Sequence, residues 1–198
     1  MARLILASKS PARMMLLKNA GISCEAMPAT VDERAIEGPL VAAGRNPAEI
    51  ALALAEAKAR AVSRMEPAAT VIGADQTLEA GGERWHKPGS IGQARRQLEE
   101  LAGRTHALHS GVAAARAGEV VWRYLDTARL TMRALSASFI EAYLARIGDD
   151  ALASVGAYQV EGSGIQLFDR IEGDFFTILG MPLLPLLGWL RAEKVIAS

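Results

Sequence analysis

Residues 4–13 read Leu-Ile-Leu-Ala-Ser-Lys-Ser-Pro-Ala-Arg, an apolar run that passes directly into a segment starting with hydroxyls, a proline and positive charge. That order commits the start of the chain to a strand followed at once by a helix. Ser10 stands where an N-cap belongs and Pro11 at the first helical position, so the unpaired backbone N–H groups and the positive end of the helix dipole face beyond the strand. Ser8, Lys9 and Arg13 surround the same spot. A bound phosphate suits it, and so does an ordinary capped helix.

The rest of the chain follows an α/β pattern. Residues 11–20 form a helix stopped by Gly21, and a second short strand runs over 23–27. The polar stretch holding Asp32, Glu33 and Arg34 reads as a loop. Asn46-Pro47-Ala48-Glu49 opens a helix that runs to about Met65. The small and β-branched run from Ala69 to Ala74 is a buried strand before Asp75. Gly81-Gly82 marks a hairpin turn, and Ser90 with Gln93 caps a helix over 91–101. Residues 105–117 and 119–133 alternate as two long antiparallel strands, Ser136 caps a further helix, and a last helix covers about 183–194. This order predicts an α/β fold with a mixed sheet.

Charge narrows the function. The 22 basic and 22 acidic residues give a formal net charge of zero, which argues against a general nucleic-acid or membrane surface. Attention shifts to local charge. The single cysteine, Cys24, cannot form an internal disulfide and reads as a small buried hydrophobe. The apolar segment 178–190 is broken by Gly180, Pro182, Pro185 and Gly188 and is too short to span a bilayer. No leader is apparent, and a cytoplasmic location is expected.

Several groups can do chemistry. Asp75, at the expected carboxyl end of a buried strand, can bind a divalent metal, take a proton from water, or serve as a turn residue. Gln76 follows and, by strand alternation, faces the other way unless the strand ends there. Lys58 lies four residues after Leu54 and four before Val62, inside the apolar stripe of its helix. There it must snorkel or meet an anion. Lys87 is a further cation after the hairpin, Glu33 a further carboxylate, and residues 156–164 form a glycine-spaced loop that can wrap a small ligand. His86, His106 and His109 make no metal-ligand pattern.

The blocks LILASKSPAR, VDE, AEAKA, GADQTL, GERWHKP, SVGAYQVEGSGIQLF and EGDFFTILGMPLLPLL, in that order, resemble the Maf family of nucleoside triphosphate pyrophosphatases, also called septum-formation-inhibitor-like proteins. The likeness covers nearly the whole chain. It implies a single domain over 1–198, an elongated mixed sheet with flanking helices, and two lobes around a central cleft. It also implies hydrolysis of a nucleoside triphosphate between its α and β phosphates, with Mg2+ or Mn2+ as cofactor. Pairing as a homodimer is expected, with no nucleic-acid or membrane partner. By the resemblance Asp75 is the proton acceptor, and Glu33 with Asp75 lies at the metal. Ser8, Ser10 and Arg13 match the phosphate motif, Lys58 and Lys87 the two basic positions, and Gln76 and Glu161 the positions that vary with substrate.

One departure stands out. The family motif S-x-S-P-R-R has Ala12 in place of its first arginine, so a bidentate donor is missing and Lys9 cannot replace it in geometry. Gln76 and Glu161 resemble the group acting on 7-methyl-GTP, whereas Tyr158 resembles the group acting on dTTP and UTP. The leading expectation is 7-methyl-GTP, with dTTP and UTP next. The alternative is a nucleotide-binding regulator of septation with little or no turnover. A nucleotidyltransferase is a third reading and would need an acceptor pocket.

Overall fold

The computed structural model describes residues 3–197. Seven strands form one mixed sheet: β1 (Leu4–Leu6), β2 (Glu25–Ala26), β3 (Thr70–Ala80), β4 (Glu83–Trp85), β5 (Thr105–Arg116), β6 (Glu119–Met132) and β7 (Phe168–Glu172). Their order is β2-β1-β3-β5-β6-β7, with β4 pairing β3. β1 is parallel to β2 and to β3, while β3–β4 and β6–β7 are antiparallel. The α/β class with a mixed sheet is therefore observed as expected.

Seven α-helices accompany the sheet among the described residues: α1 (Pro11–Asn19), α2 (Glu33–Ala42), α3 (Pro47–Met65), α4 (Ile91–Leu101), α5 (Ala137–Ile147), α6 (Phe175–Ile178) and α7 (Leu183–Ala192). The chain divides into two compact units. Unit one takes the residues up to Gln76, His109–Asp126 and those from Asp174 onward; unit two takes Thr77–Leu108 and Thr127–Gly173.

In unit one, strand alternation sorts the core onto two faces. On one face Leu4, Leu6, Ile72, Ala74, Val112 and Ala114 pack with Leu16 and Leu17 of α1 and with Leu183, Leu186 and Leu190 of α7. On the other, Ile5 and Val71 pack with Val62 of α3, and Ala113 and Ala115 with Ala55 and Ala59. α3 lies very close to the sheet. A Cβ on Gly73 would sit 2.2 Å from the Ala55 carbonyl oxygen, so only glycine lets helix and strand approach this far.

Two expectations are corrected. Asp32–Arg34 is not loop: Asp32 caps α2, its side chain accepting from the Ala35 N–H at 3.0 Å, and Glu33 is the first residue of the helix. Gly38 and Pro39 hide that helix from a propensity reading, although Pro39 sits inside it and removes one helical donor. Nor does β3 stop at Asp75. It continues to Ala80, with Thr77 and Leu78 both buried and Leu78, Glu79 and Ala80 paired antiparallel with Trp85, Arg84 and Glu83 of β4. β7 and α6 had no expectation attached to them.

Other local expectations are met, one of them in part. Asn46 and Glu49 form a reciprocal capping box on α3; Ser90 caps α4, but Gln93 Oε1 accepts from the Gly89 N–H and not from the Ser90 N–H, so the Ser90–Gln93 box is half made. Gly81 and Gly82 make the β3–β4 turn with φ of 62° and 83°. No helix among the described residues is long and apolar enough to cross a membrane.

Candidate active site

The parity of β3 decides what surrounds Asp75. Val71, Gly73 and Asp75 face α3, whereas Ile72, Ala74 and Gln76 face α1 and α7. Because Gly73 brings α3 close, Lys58 of that helix meets Asp75, its ammonium donating to Oδ1 at 2.6 Å. The same Nζ lies 2.7 Å from Oε1 of Glu33 at the start of α2. Lys58 therefore does meet an anion, and in this structure the anions are two carboxylates of the chain itself. The lysine and aspartate side chains are 13% and 10% exposed and Glu33 is 50% exposed, so the cluster opens toward solvent on the glutamate side.

The second group lies at the strand-to-helix junction. Ser10 caps α1, its hydroxyl accepting from the Arg13 N–H at 3.4 Å, with Pro11 at the first helical position. The Ser8 hydroxyl accepts from the Ser10 N–H at 3.2 Å and from Nη1 of Arg13 at 3.2 Å. Arg13 is half-buried. Its Nε donates to the Gly180 carbonyl at 2.8 Å and its Nη1 to the Ala74 carbonyl at 2.9 Å. Burial pushes the guanidinium pKa down, opposed by the charges of Asp75 and Glu33. Arginine titrates so far above neutrality that the charge persists. Ser8, Ser10 and Arg13 are thus brought together, one residue along β3 from the carboxylate of Asp75.

This is an oxygen-only acidic pair with one fixed and one carboxylate-bound cation beside a helix N-terminus. A family model described as "Maf-like protein" matches residues 3–193. The chain belongs to the Maf family.

Curated relatives span the same length. A protein of Brucella abortus biovar 1 (strain 9-941), named 7-methyl-GTP pyrophosphatase, is 57% identical over 194 residues, covering 98% of each chain. One of Rhizobium meliloti (strain 1021) with the same name is 56% identical over 188 residues, 95% of this chain and 94% of that one. A protein of Nitrobacter winogradskyi (strain ATCC 25391 / DSM 10237 / CIP 104748 / NCIMB 11846 / Nb-255), named nucleoside triphosphate pyrophosphatase, is 54% identical over 196 residues, 98% of this chain and 95% of that one.

The remaining positions matched by the resemblance are Gln76, Lys87 and Glu161. Gln76 is on the α1 and α7 face of β3, as alternation requires. Its Nε2 lies 2.9 Å from the Ser110 hydroxyl and 3.0 Å from the carbonyls of Thr177 and Ile178, so its amide nitrogen is engaged by the protein. Lys87 and Glu161 are exposed residues of unit two.

In that unit the glycine-spaced loop is anchored by a buried pair: the Tyr158 hydroxyl and His106 Nε2 are 2.6 Å apart, with Phe168 against both rings. Burial depresses the His106 pKa to about 4 and pushes the Tyr158 phenol up. Tyr143 is likewise raised to about 12 by burial. His106 is thus a neutral core histidine.

Sequence reasoning missed the carbonyl of Gly180, the buried side chains of Ser110 and Thr177, and the partly buried Asp126 that lead to it. The signal for part of this was present. Asp174-Phe175-Phe176-Thr177 is an N-cap pattern followed by Gly180 and Pro182, which marks a short helix with a tight exit.

Proposed function

We propose that this chain is a nucleoside triphosphate pyrophosphatase whose reaction centre is the Glu33–Lys58–Asp75 cluster. The observation that carries the reading is Lys58, held at 2.7 and 2.6 Å between two carboxylates beside the Arg13 junction. Two carboxylates and a cation, next to a helix N-terminus, are a poor arrangement for binding an anion passively. They suit a reaction in which a triphosphate is neutralised and a water is activated.

The donor set fits Mg2+ or Mn2+. Both are hard cations that take carboxylate oxygens, and Mg2+ is commonly held by one or two of them together with substrate phosphates. Glu33 and Asp75 would hold it, and when bound it neutralises phosphate charge and lowers the pKa of coordinated water. Among the described residues no group of three or more His, Cys, Asp or Glu side chains gathers. Phosphate oxygens of the substrate would supply further oxygen ligands.

The chain's own residues do the rest. Arg13 has three N–H groups committed to Gly180, Ala74 and Ser8, one on Nε and two on Nη1, which directs Nη2 to a phosphate oxygen. The Ala12 N–H in the first turn of α1 and the Ser8 hydroxyl serve the same anion, since the Arg13 and Met14 N–H groups are donated to Ser10. As the triphosphate enters, the Lys58 ammonium is placed to pass from the carboxylates to phosphate oxygens. Asp75, with Oδ1 toward Lys58, orients a water and takes its proton as it attacks the α phosphorus. The products are the nucleoside monophosphate and pyrophosphate. For Lys87 and Glu161 a nucleotide contact is proposed from the resemblance alone.

The preferred substrate is 7-methyl-GTP, with dTTP and UTP next. Supporting this are the names of the relatives and the residues Gln76 and Glu161. A 7-methylated guanine carries positive charge on its imidazole ring, and a carboxylate such as Glu161 complements it. Ala12 removes one phosphate donor, so affinity should be lower than in members with the full motif.

The test is pyrophosphate release from 7-methyl-GTP, dTTP, UTP, CTP, GTP and ATP with Mg2+ or Mn2+. Release that requires metal and is fastest with 7-methyl-GTP supports the reading. Release that is fastest with dTTP or UTP overturns the substrate choice. Metal-dependent binding without release from any nucleotide would return the chain to the regulatory alternative.

A further inference from the structure

Four side chains distant in sequence converge on the segment 174–181, and all the contacts lie within unit one. Asp174 caps α6 through its carboxylate, which accepts from the Thr177 N–H at 3.0 Å. The Thr177 hydroxyl donates to Asp126 Oδ2 at 2.7 Å. The Thr177 carbonyl accepts from the Ser110 hydroxyl at 2.7 Å and from the Gly180 N–H at 3.0 Å, with Gln76 Nε2 at 3.0 Å. Thr177 and Ser110 are wholly buried.

The segment does not need this network merely to stay in place. Ile178, Leu179 and Met181 are buried apolar side chains that already tie it to the core. A mutually satisfied set of hydrogen bonds around the buried Thr177 and Ser110 instead selects one geometry among the packings that an apolar anchor allows. The geometry it selects ends on Gly180.

Gly180 has φ +94°, which favours glycine, and its carbonyl accepts from Arg13 Nε. A Cβ there would sit 3.3 Å from both Nε and Nη2 of Arg13, so the turn is shaped closely around the guanidinium. With Nη1 on the Ala74 and Ser8 oxygens, the Gly180 contact is the remaining one that sets the guanidinium plane.

We propose that Thr177 is a positioning residue for Arg13: through its carbonyl and the Gly180 turn it fixes the plane in which the arginine presents Nη2 to phosphate. Ser110, Asp126 and Gln76 hold Thr177 in turn. For Gln76 this is a route to the substrate that runs through the protein. The inference rests on the phosphate-binding reading of Arg13 for its kinetic consequence, though not for its structural one.

The experiment compares the full-length wild-type protein with Thr177→Val and Thr177→Ser. It measures KM and kcat for 7-methyl-GTP with Mg2+, together with solvent exchange of the Arg13 Nε–H by NMR. Thr177→Val should raise KM about tenfold with kcat within about twofold, and speed the Nε–H exchange about tenfold, the size of one net hydrogen bond. Thr177→Ser should restore both.

Wild-type KM and exchange in a folded Thr177→Val protein would overturn the proposal. So would a fall in kcat that tracks melting temperature and is not rescued by serine. If Thr177→Val does not fold, Ser110→Ala is judged by the same two readouts. If the wild-type protein releases no pyrophosphate, the enzymatic reading fails, while the exchange measurement still decides whether Thr177 holds Arg13.

Discussion

Arg13 and Lys58 approach β3 from opposite faces, and they are held by opposite kinds of partner. Arg13 is held by the oxygens of Gly180, Ala74 and Ser8, all neutral. Lys58 is held by Glu33 and Asp75, both anionic. Neutral acceptors fix a geometry without cancelling a charge, so Arg13 keeps its positive charge in a set orientation. Carboxylates cancel the charge they hold, so Lys58 is neutralised in the resting site and its position depends on what else those carboxylates bind. Under the proposed function, one cation serves as a fixed phosphate receptor and the other as an exchangeable one.

The largest effect that separates the two comes from Arg13→Lys. A lysine has no planar fork and cannot meet three acceptors while still presenting donors outward. Triphosphate KM should rise by about a hundredfold, in line with the ~1.5–3 kcal/mol of a charge-assisted hydrogen bond. A change under about threefold in steady-state kinetics would show that charge alone matters there and would erase the contrast.

Lys58→Met comes next. It keeps the apolar stem but leaves the nearly buried Asp75 carboxylate beside Glu33 with no cation between them. Unfolding by denaturant should show a loss of about 2 kcal/mol, less than the ~3–5 of a fully buried pair, since Glu33 remains in contact with water. Triphosphate binding, by titration calorimetry, should weaken about tenfold. Unchanged stability with weaker binding would mean the two carboxylates do not depend on Lys58.

A further effect, seen only as pH falls, comes from unit two, where neither partner is charged. His106 has its folded pKa depressed to about 4 by burial, against an ordinary value of 6.5. The unfolded chain therefore binds the extra proton first as pH falls. The stability contribution is whole above pH 6.5 and is lost at up to about 1.4 kcal/mol per unit on going down toward pH 4. His106→Gln, which keeps a polar atom toward Tyr158 and does not titrate in this range, should flatten that part of the melting-temperature profile. An unchanged acid limb would place the titrating group elsewhere.

Much of the site was legible as local pattern. Ser10-Pro11, the Asn46–Glu49 capping box and a lysine inside an apolar stripe are short-range signals, and each led to the observed structure. What the pattern could not say was which anion meets Lys58. That depends on α2, hidden by Gly38 and Pro39, and on β3 running past Asp75. The Thr177 network was beyond reach for a different reason. Gln76, Ser110, Asp126 and Thr177 lie on separate elements, and only the sheet order brings them together. Alternation did predict that Gln76 turns away from Asp75, and the contacts of both residues agree.

In the proposed reaction Asp75 takes the proton from the attacking water in the Glu33–Lys58–Asp75 cluster. The most direct test is single-turnover pyrophosphate release from 7-methyl-GTP with Mg2+, comparing wild type with an Asp75→Asn protein shown to be folded and to bind the nucleotide. The account predicts a loss of about a thousandfold or more in the chemical step. Release within about tenfold of wild type would contradict it and remove Asp75 as the base.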